Sequence, residues 1–219
     1  MRDWLTYRLS DFLLFSARTY YRMFELYHRE IWPAQIVALA AVVMIVVVLV
    51  RPIKHRDKVV AVTLGVAWLW AGVMFHMRRY ASINWAATYF GALFVVQAIL
   101  LLVAPITRPR SDLDVSPGRR AAVAFLAAVV LPAIVGVVTE RTWRQVEVFG
   151  LTPDATAIAT VALLAFAAER RSFLLVAPLM WCVIGGATLW ALDSGEAWLS
   201  IIAAIVAVAS LIRRRRHAV

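Results

Sequence analysis

The sequence predicts an all-α protein, a polytopic transmembrane bundle of about seven spans preceded by an amphipathic interfacial helix. Three observations predict it. The 219 residues are 63% hydrophobic and 16% charged, with a mean hydropathy of +0.79, whereas a soluble domain is nearer half apolar and a quarter charged. The charges are segregated, leaving several uncharged windows of about 15–20 residues, close to what a helix needs to cross hydrocarbon. A crossing helix with its turn takes roughly 30 residues, so about seven spans consume the chain and leave no separate soluble domain.

Residues 1–30 form the first unit. Leu5, Leu9, Phe12, Leu13, Phe15 and Tyr20 fall near one helical side, while Arg8, Asp11, Arg18, Arg22 and Glu25 forbid a crossing. Such a segment lies in the interface, a depth that also suits Tyr7, Tyr20, Tyr21 and Tyr27. Two readings stand for residues 3–28: a passive anchor, or a gate or partner-binding helix. No cleavable signal is expected, because an uninterrupted apolar h-region is missing.

Residues 31–212 form a single transmembrane domain. Span 31–50 opens with EIWPAQ; Pro33 is tolerated in a first turn, Glu30 favours the positive helix end, Trp32 marks the interface, and Gln35 is a first-turn residue near headgroups. Spans 59–77 and 83–104 form a hairpin. Residues 105–118, rich in Pro, Ser and mixed charge, are a solvent linker. Span 120–139 contains Pro132, a predicted kink. Residues 140–151 are polar and read as a loop or surface helix. Span 153–168 starts with Thr152 as N-cap and Pro153 at the first helical position; its apolar run of about 15 residues is short, so it is tilted, buried or re-entrant. Span 172–192 carries Gly185-Gly186, which allow close helix approach. Span 197–212 follows a DSGE turn, and 213–219 is a basic tail.

Lys and Arg set the orientation. Alternate segments after the first span hold 14 on one side and 4 on the other, which places the C-terminus in the cytoplasm and the N-terminus outside. The 5 basic residues before the first span oppose this, but Asp3, Asp11, Glu25 and Glu30 accompany them. The net charge of +10 therefore belongs to membrane topology, and no interleaved basic and aromatic groove points to nucleic acid.

Polar groups inside spans are functional candidates because hydrocarbon penalises them. Gly65, Trp68, Gly72 and His76 follow 3- and 4-residue steps and share a face. Trp32, Trp68 and Trp70 are the expected interface anchors. His76 is either a proton relay or ligand, or a structural bond near the outer interface, where it sits close to Asn84 across the hairpin turn and the two fasten it. Asn84 is a pathway candidate or an N-cap. Gln97 lies 13 residues on, so it points roughly 140° away; it is a buried site or interhelical glue. Thr152, Asp154, Thr156 and Thr160 cluster at the start of the short span, where a helix N-terminus could receive a polar solute or simply be capped. Asp154 counts against an anion there.

Absences narrow the field. Lys54 and Lys58 lie in a loop, so a retinal Schiff base is excluded. A single intramembrane histidine cannot supply bis-histidine haem ligation. The histidines at 28, 55, 76 and 217 lack metal-finger spacing, and Cys182 alone cannot form an internal disulfide. Spans lack paired carboxylates and a serine, histidine and acid constellation. The expectation is a non-enzymatic protein without cofactor, in contact with membrane lipids. It conducts or transports a small polar solute or ion through His76, Asn84, Gln97, Asp154 and Thr156. The alternative is an accessory or scaffold subunit that binds a membrane-protein partner through residues 3–28.

The strings EIWPAQ, WLWAGVMFH with INWAATYFGALFVVQ, VFGLTPDAT and APLMWCVIGG together resemble the bacterial membrane family labelled domain-of-unknown-function 6064, over most of residues 28–190. The resemblance implies a multi-pass protein of the bacterial inner membrane, of undefined activity, and gives added weight to His76, Asn84 and Gln97. The family pattern has Cys-Pro after the Thr-Pro of the VFGLTPDAT string, where this chain has Asp154-Ala155. A metal or redox role attached to that cysteine would not transfer.

Overall fold

The computed structural model describes residues 13–51, 53–107, 118–139, 141–166 and 173–217, without the side chains of 105–107 and 213–217. The described residues contain helices and turns and no strand: α1 (Ala17–Glu30), α2 (Ala34–Val50), α3 (Arg56–Trp70), α4 (Ala87–Thr107), α5 (Arg119–Val138), α6 (Pro153–Leu164), α7 (Val176–Ala191) and α8 (Ala197–His217). Four stretches are long and apolar enough to cross a membrane: Arg56–Ser82, Ala87–Ala104, Arg119–Val138 and Phe173–Ala191. A fifth is reached if α1 and α2, bent by 89° at their break, count as one span. The other apolar helices fall short by length, α6 at 12 residues and Ala197–Ile212. The structure thus supports four or five of the seven expected crossings on length and composition.

Helix α1 is amphipathic as expected. Ser16 caps it, its hydroxyl accepting from the Thr19 N–H at 3.3 Å. Its buried residues, Tyr20, Met23, Phe24, Tyr27 and His28, recur at helical spacing. That face rests on protein: it packs into one cluster with Phe75, Tyr80, Leu151, Leu189 and Ala197. Phe24 and Tyr27 meet the Phe75 ring at 5.0 and 5.3 Å. The Tyr27 hydroxyl donates to Leu151 O and receives the Trp70 indole N–H, both at 2.9 Å. Helix α1 is therefore a lid over the end of the bundle where α3, α5 and α7 finish and α4, α6 and α8 begin. The apolar face a partner would use is already occupied over Ala17–Glu30; residues 3–12 lie outside the described residues.

Small residues set the α3–α4 approach, as the Gly65/Gly72 face predicts. A Cβ on Gly65 would stand 2.6 Å from Leu102 Cγ, and one on Gly72 would stand 2.9 Å from Phe94 Cβ and 3.1 Å from Gly91 O. Where α3 would end, the chain continues as a π-helical stretch, Ala71–Met77, closed by Arg78 N–H to Val73 O at 3.0 Å. One wide turn of this kind rotates the following side chains relative to an α-helix and recurs at functional sites. Here it carries His76.

Helix α6 is the centre of the bundle. Ten of its 12 residues are buried, and α3, α5, α7 and α8 contact it. A helix apolar all round belongs in a core. Of the readings open for this span, burial is observed over Pro153–Leu164.

Candidate functional site

Several buried polar residues, Glu147, Thr152, Asp154 and Thr156, gather beneath the lid at the start of α6. The segment 141–152 approaches it from α5. Gly150 takes φ +80, a conformation that suits glycine, and its N–H donates to Thr156 Oγ1 at 2.9 Å. Thr156 in turn donates to Thr152 O at 2.6 Å. Thr156, expected on a ligand pathway, pins this turn. Thr152 does hold the N-cap position, but its hydroxyl turns back on Val148, accepting from its N–H at 2.8 Å and donating to its carbonyl at 3.0 Å. The cap comes from Glu147: its Oε2 accepts from the Ala155 N–H at 3.2 Å, satisfying one of the orphan donors of the helix start.

Asp154 is 3% exposed. Its Oδ1 accepts from the Trp181 indole N–H at 2.6 Å, and its Oδ2 is buried without a partner. Gly185 makes room, since a Cβ there would lie 2.5 Å from Oδ1. His76 also packs on this indole. Its ring centroid is 4.6 Å from Trp181 and 4.6 Å from Phe94; it is wholly buried and neither ring nitrogen has a partner. His76 and Asp154 are thus brought together through one shared tryptophan.

A third group closes the cluster. Arg141 donates to Glu196 Oε2 at 2.5 Å and to Ser194 Oγ at 2.5 Å. It also donates to the Tyr21 hydroxyl, and its guanidinium sits 3.8 Å from the centre of the Tyr21 ring. One side chain therefore ties the lid, the segment after α5 and the α7–α8 turn. Both members of the ion pair are buried, with side-chain exposures of 8% and 3%, and Glu196 Oε1 is left unpartnered. Three buried carboxyls, Glu147, Asp154 and Glu196, feel one another's charge here, and Arg141 answers Glu196 directly and Asp154 through its field. Burial, and then the charge of Asp154, push the Glu147 carboxyl well above the usual carboxylate range. Burial lifts Glu196 to about 7 against the pull of Arg141.

The sign of the resulting pH dependence follows from proton binding. The folded state holds a proton on Glu196 that the unfolded chain releases near the usual 4.5. The contribution is fully present below that value and is lost as pH rises through about 7. Thermal unfolding in detergent is expected to occur at lower temperature at pH 8 than at pH 5, with a flatter dependence in Glu196→Gln.

The other expected positions are placed as follows. Gln97 is wholly buried and donates through Nε2 to Leu174 O at 2.9 Å, with Oε1 unpartnered; it joins α4 to the start of α7, more than two turns from Gly185. Asn84 is half-buried and caps its own turn, Oδ1 accepting from Ala86 N–H at 3.1 Å. The His76–Asn84 clasp is not formed, because both His76 nitrogens are without a hydrogen-bond partner. Trp68 is no interface anchor: it is wholly buried, 4.2 Å from Phe94, and donates to Thr160 Oγ1 at 2.9 Å. Trp70 is half-buried against the lid, and Trp32 is 64% exposed. Sequence reasoning missed Arg141, Glu147, Glu196 and Tyr21. The available signal was the run Val146, Val148, Phe149, Leu151 around Glu147, too apolar for a solvent loop.

Among the described residues, no group of three or more His, Cys, Asp or Glu side chains is placed to hold a metal ion. No curated protein and no solved structure matches the chain significantly. A family model described as "Family of unknown function (DUF6064)" matches residues 17–219, and the chain belongs to that family.

Proposed function

We propose that this is a non-enzymatic multi-pass protein of the bacterial inner membrane in which α2 to α8 all cross, with the N-terminus and lid outside and the C-terminus in the cytoplasm. It moves protons or a small cation through the carboxyl cluster beneath α1. The connectivity supports the seven-span reading: consecutive helices run in opposite directions, and the 89° bend between α1 and α2 suits an interfacial helix followed by a crossing one. Helix α6, of 12 residues and so about 18 Å long, crosses within a protein sheath, where the non-helical segments that flank it can complete the crossing because they are buried in protein.

The observation that carries the functional reading is the imbalance of the cluster. Three buried carboxyls stand with a single buried guanidinium, and Asp154 Oδ2, Glu196 Oε1 and both His76 nitrogens are without partners. Unmet buried polar atoms are costly for stability alone. In a membrane bundle they mark proton or ion pathways. The form described is closed, with the lid held by Arg141.

Proteoliposomes containing a pH-sensitive dye provide the test. The wild-type chain is expected to dissipate an imposed proton or cation gradient. Asp154→Asn, which keeps an acceptor for Trp181, should slow this at least tenfold without loss of folded protein. Equal rates in wild type, variant and protein-free vesicles would refute the reading.

A further inference from the structure

We propose that the outward cleft between α1 and the α3–α4 turn is a binding site for an oxyanion, the phosphate group of a small solute or of a lipid. This site is separate from the buried carboxyl cluster and does not depend on transport through it. The cleft has a volume of about 760 Å³ and is lined by Arg18, Thr19 and Arg22 from α1, Arg79 from the turn, and Gln145. Such a space accommodates a small ligand.

Three independent features make it electropositive. Arg18 and Arg22 stand four residues apart on one helix, where like charges repel. Arg18 also lies in the first turn of α1, which contains no acidic residue, so a cation sits at the positive end of the helix dipole, the reverse of the favourable arrangement. Arg79 reaches the same cleft from a different element. Glu25 holds Arg22 at 2.7 Å and Glu30 holds Arg79 at 3.3 Å, while Arg18 has no such carboxylate among the described residues and no acidic side chain is among the residues lining the cleft. Gln145 adds a donor, because its Oε1 is taken by the Thr142 N–H at 3.4 Å and its NH₂ group is left for a ligand. An oxyanion relieves both the Arg–Arg repulsion and the unfavourable helix end, and guanidinium groups match its geometry.

The lid position gives the site a consequence. Tyr21 lines this cleft and also receives the Arg141 guanidinium, so an anion held by Arg18 and Arg22 fixes the same helix that covers the carboxyl cluster.

The experiment uses the full chain. In uncharged detergent, inorganic phosphate is titrated and followed by calorimetry and thermal unfolding. In nanodiscs, phosphatidylcholine is compared with phosphatidylcholine containing phosphatidylglycerol. Binding of free phosphate identifies a solute site, and stabilisation only by the anionic lipid identifies a headgroup site. In either case the effect should weaken at least tenfold in Arg18→Gln/Arg22→Gln/Arg79→Gln and fall with added KCl. Should the triple variant fail to fold, Arg18→Gln alone, at an exposed position, is expected to weaken binding at least threefold. Failure of both probes to bind, or binding unchanged by these substitutions, overturns the proposal.

Discussion

Arg141→Met is expected to destabilise the protein by about 3–5 kcal/mol, the usual consequence of removing one partner from a buried ion pair. The substitution leaves Glu196 buried at 3% side-chain exposure and removes the donor to Ser194 and Tyr21. The loss should be larger at pH 8 than at pH 5, because a carboxyl already lifted to about 7 by burial can escape the penalty at low pH by taking a proton. Adding Glu196→Gln to Arg141→Met should recover part of the stability, a coupling that a double-mutant cycle measures. Thermal unfolding in detergent at the two pH values supplies the numbers. Equal, small losses at both would show that the pair does not fasten the lid.

The second large effect is expected at Gly185→Ala. The new methyl group would begin 2.5 Å from Asp154 Oδ1 and 3.3 Å from Trp181 Nε1, so the carboxyl must move and its hydrogen bond to the indole must lengthen or break. Overpacking typically costs about 1–3 kcal/mol, and a hydrogen bond to a charged group contributes roughly 1.5–3 kcal/mol. A total loss of about 2.5–6 kcal/mol is expected, together with reduced gradient dissipation in vesicles. Gly186→Ala is the control: its methyl would meet Ser200 Cβ at 3.2 Å, away from the carboxyl, and should lower stability less while leaving dissipation close to wild type.

The sequence reveals the helices far better than it reveals the site. Apolar runs locate α2 to α8 and amphipathic spacing locates α1, because both patterns are written in consecutive residues; capping adds little, since the Thr152 hydroxyl turns back on Val148. The Gly65/Gly72 face anticipates the α3–α4 contact for the same kind of reason: only small residues permit it. The fate of α1 was not legible. An amphipathic face looks the same whether lipid or protein covers it, and only the tertiary structure shows Phe24 and Tyr27 against Phe75.

Of the candidate positions, His76 and Asp154 come together, but through Trp181, whose place 27 residues beyond Asp154 no periodicity reveals. Asn84 and Thr156 make local bonds, and Gln97 donates to Leu174 O, 77 residues away. No spacing in the sequence links Arg141 to Glu196, because the partners are 55 residues apart; the apolar run after Arg141 signals burial of its segment but not the partner. Polar residues in a membrane chain read as loop whenever they fall between spans, and the lid that buries them is encoded more than a hundred residues earlier.

The carboxyls beneath the lid are expected to hold exchangeable protons at neutral pH. Infrared difference spectroscopy of the reconstituted chain between pH 5 and pH 9 tests it most directly. The prediction is a protonated-carboxyl band present at pH 5 that declines through about pH 7, loses one component in Glu196→Gln, and loses a further one, persisting to higher pH, in Glu147→Gln. A spectrum with no protonated carboxyl anywhere in this range, or one unchanged by both substitutions, would contradict it.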